Sequence, residues 1–197
     1  MIIAGADEAG RGSLAGPLSV GLVIFDSSMF SSPVPEDLLS VQDSKKLSPA
    51  RRSEALPLVE RIARVALCEH VDADIVDRLN PNRATKYALD ALLERSPVKP
   101  DLLLMDGTFK FDFSCSYRAV KKGDSLSMSI AAASIVAKVT RDCLMDSLDP
   151  LYPDYCFSVH KGYGTALHLE KIRAHGPSPI HRRSYEPVKS MAGMPGN

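Results

Sequence analysis

The first twelve residues read Met1-Ile2-Ile3-Ala4-Gly5-Ala6-Asp7-Glu8-Ala9-Gly10-Arg11-Gly12, and a second apolar run follows from Pro17 to Phe25. The two apolar runs predict paired strands joined by a glycine-containing turn. Two adjacent acids where a buried strand emerges are costly unless a ligand binds them. Gly10 and Gly12 let main-chain N–H groups approach an anion, and Arg11 adds donors. The stretch therefore predicts carboxylates that hold a divalent cation beside a phosphodiester.

The composition indicates a globular protein with an uneven distribution of charge. The chain has 197 residues, of which 45% are hydrophobic, enough for one well-filled core. Its net charge is zero, but from Tyr155 onward it carries six Lys or Arg against two Glu, and four of its five His. A basic portion beside an acidic remainder fits a site that combines carboxylates for metal with cations for a polyanion. A solvated charged face is the simpler alternative.

The cysteines and the hydropathy indicate the cellular compartment of the protein. Cys68, Cys115, Cys143 and Cys156 have no metal-ligand spacing, so we expect reduced, mostly buried thiols. No run reaches the ~18 apolar residues of a membrane span, and no signal peptide is visible. We therefore expect a cytoplasmic monomer that binds no membrane.

The periodicity of the rest of the chain predicts alternating helices and strands. The predicted elements are a helix over 48–61 that is capped by Ser48 and interrupted by Pro57, a strand over 63–71, a helix over 82–94, strands over 102–105 and 116–120, a long buried helix over 125–148, and a helix over 165–175. The buried face of the helix over 82–94 is predicted to comprise Ala84, Tyr87, Ala88, Ala91 and Leu92. This order predicts one α/β domain over residues 1–189, with a mixed sheet covered on both faces and a flexible tail over 190–197.

The acids that could share a metal come from distant parts of the chain. Asp106 follows an apolar strand, as Asp7 does, and ligands of such sheets gather beyond the carboxyl ends of strands. Glu8 points away from Asp7 if the strand continues through both. Asp124 and Asp142 compete for the fourth place, because on one helix they would stand ~27 Å apart. We favour Asp124, at the predicted start of the helix, and expect Asp142 to pair with Lys138; simple capping by Asp124 is the alternative.

Seven motifs in order along the chain resemble the ribonuclease HII family over about residues 3–189. They are Asp7 to Gly12, Asp43-Ser44-Lys45-Lys46-Leu47, Asp106-Gly107, Lys122-Gly123-Asp124-Ser125, Ala133 to Asp142, His160-Lys161-Gly162-Tyr163-Gly164-Thr165, and His181-Arg182-Arg183-Ser184. The resemblance implies a ribonuclease H-like fold with a five-stranded mixed sheet, helices on both faces and a basic C-terminal helical portion over about 155–189.

The resemblance also implies a chemistry. Asp7, Glu8, Asp106 and Asp124 would bind two Mg²⁺ or Mn²⁺ ions and catalyse hydrolysis. The substrate would be the RNA strand of an RNA–DNA hybrid, or a duplex DNA that is nicked 5′ of a single embedded ribonucleotide. The products would carry 3′-hydroxyl and 5′-phosphate ends.

Roles in substrate binding follow from the same resemblance. The main chain of Gly10, Arg11 and Gly12 would contact the ribose 2′-hydroxyl, the only group that distinguishes a ribonucleotide, and Tyr163 would stack on the next sugar. We expect the nucleic-acid backbone to be contacted by Ser44, Lys45, Lys46, Lys138, His160, Lys161 and Arg182, with His181 and Arg183 on the same basic surface. For Ser44, Lys45 and Lys46, an exposed basic turn is the alternative.

Three residues depart from the family pattern, and the sequence argues against three other functions. Ala131 stands where relatives usually have Ser, Tyr185 where they usually have Phe, and Pro81 is expected to alter the turn after Asn80. A dinucleotide-binding enzyme would need a helix after the glycine-rich turn, and a sugar-kinase-like ATPase would need a second lobe. A catalytically silent hybrid-binding module would gain nothing from four acids beside a polyanion.

Overall fold

The computed structural model describes residues 1–30 and 48–191. The strands are β1 (Ile3–Ala9), β2 (Leu18–Ile24), β3 (Val65–Val71), β4 (Leu102–Asp106) and β5 (Ser116–Val120), and the α-helices are α1 (Pro49–Ile62), α2 (Ala73–Arg95), α3 (Met128–Leu148), α4 (Phe157–His160), α5 (Ala166–His175) and α6 (Val188–Met191). Short 3-10 helices cover Ser27–Phe30, Gly123–Ser125 and Asp149–Leu151. The predicted phosphate-binding residues Ser44, Lys45 and Lys46 lie outside the described residues.

The five strands form one mixed sheet in the order β3-β2-β1-β4-β5. β2 is antiparallel to both β1 and β3, whereas β4 is parallel to both β1 and β5. Because β1, β4 and β5 run in the same direction, their carboxyl ends meet at one edge. The predicted α/β fold with a mixed sheet is confirmed.

Helices cover both faces of the sheet, as predicted. One face packs against α2 through side chains such as Val76, Leu89 and Leu92. The other packs against α1 and α3. A Cβ on Gly21 of β2 would lie 2.2 Å from the carbonyl oxygen of Ala133, so only glycine lets α3 approach the sheet this closely.

The predicted interruption at Pro57 is wrong. α1 runs unbroken through this exposed proline, with Ala55 and Val59 buried on either side of it. The packing of these residues outweighs the hydrogen bond that proline cannot donate. The cap is confirmed, since the Ser48 hydroxyl accepts from the N–H of Arg51 at 3.4 Å.

α2 begins earlier than predicted and contains a break. Asn80 adopts φ 65° and ψ 161°, and its side-chain oxygen accepts the N–H groups of Asn82 and Arg83 at 3.0 and 3.2 Å. Pro81 disfavours a helical residue before it, and Asn80 caps the helical half that follows. The proline therefore shapes this turn.

The predicted buried face of α2 is partly wrong. Tyr87 is 50% exposed, whereas Thr85 and Leu89 are fully buried. Burial of Thr85 is tolerated because its hydroxyl donates to the carbonyl of Pro81 at 2.9 Å.

The cysteines differ from the prediction, whereas the long buried helix agrees with it. All four cysteines are free thiols, but Cys143 is exposed and the other three are half-buried, so the prediction of mostly buried thiols is wrong. Within the described ranges, no helix has the length and apolar character that crossing a membrane requires. The long buried helix is confirmed, but it starts at Met128, after the 3-10 turn that holds Asp124.

Candidate active site

A cleft of about 420 Å³ opens at the edge where the parallel strands end. It is lined by Asp7, Glu8, Ala9, Gly10, Arg11, Gly12, Arg52, Asp106, Ser134, Lys138 and Tyr163. Eight of the residues predicted from the sequence, three acids and the glycine-rich turn among them, thus share one cavity.

Three carboxylates lie together at the rim of the cleft. Ala6 pairs with Met105 across β1 and β4, which brings the next residues, Asp7 and Asp106, side by side. β1 continues through Ala9, yet both Asp7 and Glu8 line the cleft, and the N–H of Glu8 donates to a carboxylate oxygen of Asp7 at 2.8 Å.

The carboxyl group of Glu8 has a raised pKa. Burial, followed by the charge of Asp7, raises its pKa to about 7; Arg11 opposes this, and Asp106 adds to it. Its Oε2 is buried and receives no hydrogen bond from any described residue. A buried carboxylate oxygen that lacks a donor, beside two further acids, is stabilised in its charged form by a bound cation.

Asp124 stands next to this group but does not line the cleft. The N–H of Gly123 donates to Oδ1 of Asp106 at 2.7 Å, and Asp124, the next residue, is 3% exposed. It does not cap α3, whose N-cap is Ser127. Asp142 pairs with Lys138 at 2.8 Å, as expected.

The donor set fits a divalent cation. Within residues 1–30 and 48–191, no three His, Cys, Asp or Glu side chains converge as a ready-made ligand cage. The carboxylates nevertheless offer hard oxygen donors, the kind that Mg²⁺ and Mn²⁺ prefer, and Mg²⁺ is usually held by one or two carboxylates while keeping several waters. The buried Oε2 of Glu8 is the acceptor that such an ion would satisfy.

The glycine-rich turn presents its main chain to the cleft. Gly10 has φ +75°, and a Cβ there would lie 1.9 Å from Nε of Arg141, so glycine is required. A Cβ on Gly12 would meet open space, which leaves the main chain open to a ligand. Arg11 donates to Oδ1 of Asn82 and lies 5.0 Å above the ring of Phe109, while its Nη1 is buried without a hydrogen bond to any described residue.

Two fully buried arginines support this turn from below. Arg141 donates to the carbonyl of Pro17 at 2.9 Å and to the hydroxyl of Ser13 at 2.8 Å. Arg182 donates to the carbonyls of Gly16 and Arg11 at 3.0 and 2.9 Å. Burial lowers the pKa of both guanidinium groups, to about 10 in Arg141. Both remain positively charged at neutral pH, beneath the proposed phosphate site.

The predicted basic surface of the C-terminal portion is largely wrong. Arg182, His160 and His181 are buried, with exposures of 0%, 6% and 2%. Lys161 is half-buried and forms an ion pair with Asp146. Arg183 is exposed. Buried carbonyl groups and ring nitrogens need hydrogen-bond donors. The buried arginine and histidine side chains supply these donors.

A directional chain of hydrogen bonds fixes the main chain of Tyr163. The N–H of Ser178 donates to Nδ1 of His181 at 2.9 Å, so the proton of His181 lies on Nε2 and points to Nε2 of His168 at 3.0 Å. His168 in turn donates from Nδ1 to the carbonyl of Tyr163 at 2.9 Å. The Tyr163 ring lies 5.1 Å from Nζ of Lys138 and 5.3 Å from the Arg141 guanidinium.

Sequence reasoning missed several residues of the site. Arg52 and Ser134 line the cleft, and the hydroxyl of Tyr185 donates to the carbonyl of Arg11 at 2.9 Å. Ser134 and Arg141 fall inside a motif that carries the resemblance, whereas no local pattern marks Arg52. Ala131 is fully buried in an apolar cluster with Val23 and Ala55, so a serine hydroxyl at this position would not line the cleft.

Comparisons with known proteins agree with this geometry. The family model described as Ribonuclease HII matches residues 4–188. A ribonuclease HII of Geobacter sulfurreducens is 47% identical over 97% of this chain and 85% of its own length. One from Chlamydia pneumoniae is 42% identical over 98% and 87%, respectively. The crystal structure of ribonuclease H2 from Pyrococcus horikoshii OT3 superposes with a TM-score of 0.81 at 26% identity, covering 98% of this chain and 97% of that one.

Proposed function

Since the chain belongs to the ribonuclease HII family, and is thus a metal-dependent endoribonuclease acting on RNA–DNA hybrids, we propose that it also nicks duplex DNA on the 5′ side of single embedded ribonucleotides. The products would carry 3′-hydroxyl and 5′-phosphate ends. The single observation that carries the proposal is the cleft in which Asp7, Glu8 and Asp106 face the open main chain at Gly12.

The acids supply the metal site of this proposal. Asp7, Glu8, Asp106 and Asp124 would hold two Mg²⁺ or Mn²⁺ ions. Three observations support this set: the first three acids line one cleft, Asp124 follows the residue whose N–H donates to Asp106, and the Oε2 of Glu8 lacks a donor among the described residues. When bound, such ions lower the pKa of an attacking water and offset the charge on the leaving 3′-oxygen.

The remaining residues of the cleft would bind and orient the substrate. The Gly10-Arg11-Gly12 main chain can donate to a 2′-hydroxyl or a phosphate, and Nη1 of Arg11 is a buried donor with no hydrogen bond to a described residue. Lys138 faces the same cavity and can hold the scissile phosphate. The Tyr163 ring would stack on the deoxyribose that follows the ribonucleotide, and so select the junction.

A nicking assay on matched substrates tests the proposal. Duplexes with one, four or many ribonucleotides are incubated with Mg²⁺, with Mn²⁺ or with a chelator, and the product ends are mapped. We expect cleavage 5′ of the single ribonucleotide only with metal. We also expect Asp124→Asn to lose on the order of a thousandfold in rate, while Asp74→Asn, which neutralises an exposed acid on α2, retains the wild-type rate. Duplex binding without any nicking would instead identify a silent hybrid-binding module.

A further inference from the structure

A second cleft, of about 620 Å³, lies beside the candidate active site on the other side of Arg11. It is lined by Arg11, Asn82, Arg83, Lys86, Thr108, Phe109, Lys110 and Phe111. Four of these eight side chains are cationic and none is acidic. A cavity of this charge, continuous with a nuclease site through a shared arginine, is suited to a polyanion.

The cationic side chains of this cleft differ in whether another residue of the protein already pairs with them. Nζ of Lys86 lies 2.8 Å from a carboxylate oxygen of Asp90 and 4.8 Å from the centre of the Phe113 ring. Arg83 and Lys110 are exposed, and neither forms an ion pair with any residue in the described ranges. Arg83 and Lys110 are therefore the side chains available to an incoming anion.

The walls that carry these two cations are rigid. The Asn80 cap orders the start of the helical half that holds Arg83. On the opposite wall, the rings of Phe109 and Phe111, on either side of Lys110, stack with centroids 5.2 Å apart and planes inclined by 5°. Arg11 joins the two walls, because it donates to Asn82 and lies over Phe109. Little conformational entropy of the main chain is lost when a ligand binds between them.

The aromatic wall is not a platform for bases. Phe109 already stacks on Phe111 and carries the Arg11 guanidinium, so its ring is engaged within the protein. What remains for a ligand is exposed positive charge, which recognises phosphates without regard to sequence.

We propose that this cleft, which we call the flanking cleft, binds backbone phosphates of the substrate duplex next to the site of cleavage, with Arg83 and Lys110 as the contacting residues. The inference rests on the proposed function, since it assigns the flanking cleft to the same duplex that the candidate active site would cut. It extends the contact surface along the duplex beyond the carboxylate cleft.

Variants of the full chain test the assignment through KM and its salt dependence. For Arg83→Ala and Lys110→Ala we expect KM to rise roughly fivefold to tenfold each near 0.1 M salt, with kcat unchanged, and the salt slope of log kcat/KM to fall by about 0.9 per lost contact. Lys86→Ala is the matched control, because it also removes one positive charge from this cavity. Lys86 already pairs with Asp90, so KM should change less than twofold.

The pattern across the variants decides the outcome. Equal effects of Lys86→Ala and Arg83→Ala, or a fall in kcat with unchanged KM and salt slope, would overturn the assignment. If wild-type protein cleaves no hybrid with either metal, the proposed function fails instead, and that result is visible before any variant is made.

Neutral methylphosphonate linkages then locate the contacted strand. A short neutral patch is placed beside the ribonucleotide, in the cut strand or in the complementary strand. We expect the patch in one of the two strands to raise the KM of the wild-type protein to that of the Arg83→Ala, Lys110→Ala double variant. The same patch should not raise the KM of the double variant further. If the patch weakens wild type and double variant equally in both strands, the two cations do not contact the backbone.

Discussion

At the scale of single residues, two arginines that face away from solvent shape the site. Arg141 and Arg182 donate hydrogen bonds to carbonyls and a hydroxyl of the turn between Gly10 and Pro17. A buried guanidinium is costly unless its donors are satisfied, so the turn and the arginines stabilise each other. Their charge also lies beneath the main chain that is proposed to receive a phosphate.

Substitution of Tyr163 should distinguish recognition of the ribonucleotide junction from binding of the duplex. Loss of a stacked ring costs ~1–3 kcal/mol, so Tyr163→Ala should slow nicking at a single ribonucleotide by about tenfold to a hundredfold. Affinity for the duplex should change far less, because other contacts bind the backbone. Rates at a single ribonucleotide and Kd values are compared with those of Tyr163→Phe, which keeps the ring and should resemble wild type. Equal losses of rate and affinity in Tyr163→Ala would show that the ring only assists binding.

Tyr185 makes a contact that a phenylalanine at this position could not make. Its hydroxyl donates to the carbonyl of Arg11 at 2.9 Å, and Tyr185→Phe should lower the free energy of unfolding by about 0.5–1.5 kcal/mol. Arg182 still donates to the same carbonyl, so cleavage should persist. Urea unfolding measures the effect as a lower midpoint with an unchanged m-value. Tyr152→Phe, which changes a half-buried tyrosine elsewhere, is the control, and an equal shift in both variants would contradict the assignment.

At the scale of elements, the sequence predicts what is local. The predicted strand at 102–105 and the predicted helix at 165–175 match β4 and α5 nearly to the residue, because each depends on neighbouring side chains. The placement of Arg182 failed because its partner, the Gly16 carbonyl, lies 166 residues away. The helix through Pro57 likewise depends on tertiary packing that no local pattern records. The acids could be predicted because Asp7 and Asp106 each follow an apolar run, whereas their approach depends on the parallel pairing of β1 with β4.

The histidines beside α5 should make stability depend on pH. Burial lowers the pKa of His168 to about 4 and that of His181 to about 3, and in each case a neighbouring histidine adds to the shift. Below the unfolded value of ~6.5, the unfolded chain binds these two protons and the folded chain does not. Their contribution is therefore complete above that pH and is lost as the pH falls toward 4, by about 1.4 kcal/mol per pH unit for each histidine.

Unfolding free energies between pH 7 and pH 4 measure this dependence. Carboxylates also titrate in this range, so the quantity to compare is the difference between wild type and variant. His181→Gln keeps an N–H donor that can point to His168 but cannot be protonated, and it should flatten the slope by about one proton. His175→Gln, at the exposed last position of α5, should leave the slope close to that of wild type. Equal slopes in His181→Gln and wild type would refute the argument.

At the scale of the whole molecule, the site joins elements that are distant in sequence. β1, β4 and the turn after β5 supply the acids, α3 supplies Ser134 and Lys138, and the segment before α5 supplies Tyr163. The acids repel one another within a folded chain that holds them together, a cost that the unfolded chain does not bear. A ligand that binds only the folded arrangement therefore stabilises the entire domain.

We therefore expect divalent ions to raise the melting temperature without any nucleic acid present. At a free concentration of about 100 times Kd, Mg²⁺ or Mn²⁺ should add ~2.7 kcal/mol to the free energy of unfolding, and a chelator should remove this gain. Asp124→Asn should lose most of the gain, whereas Asp74→Asn on the exposed face of α2 should keep it. Asp106→Asn should also raise the stability of the metal-free protein, because it relieves the repulsion that Glu8 experiences. If metal stabilises Asp124→Asn as strongly as wild type, Asp124 is not a ligand, and the site consists of the three acids that line the cleft.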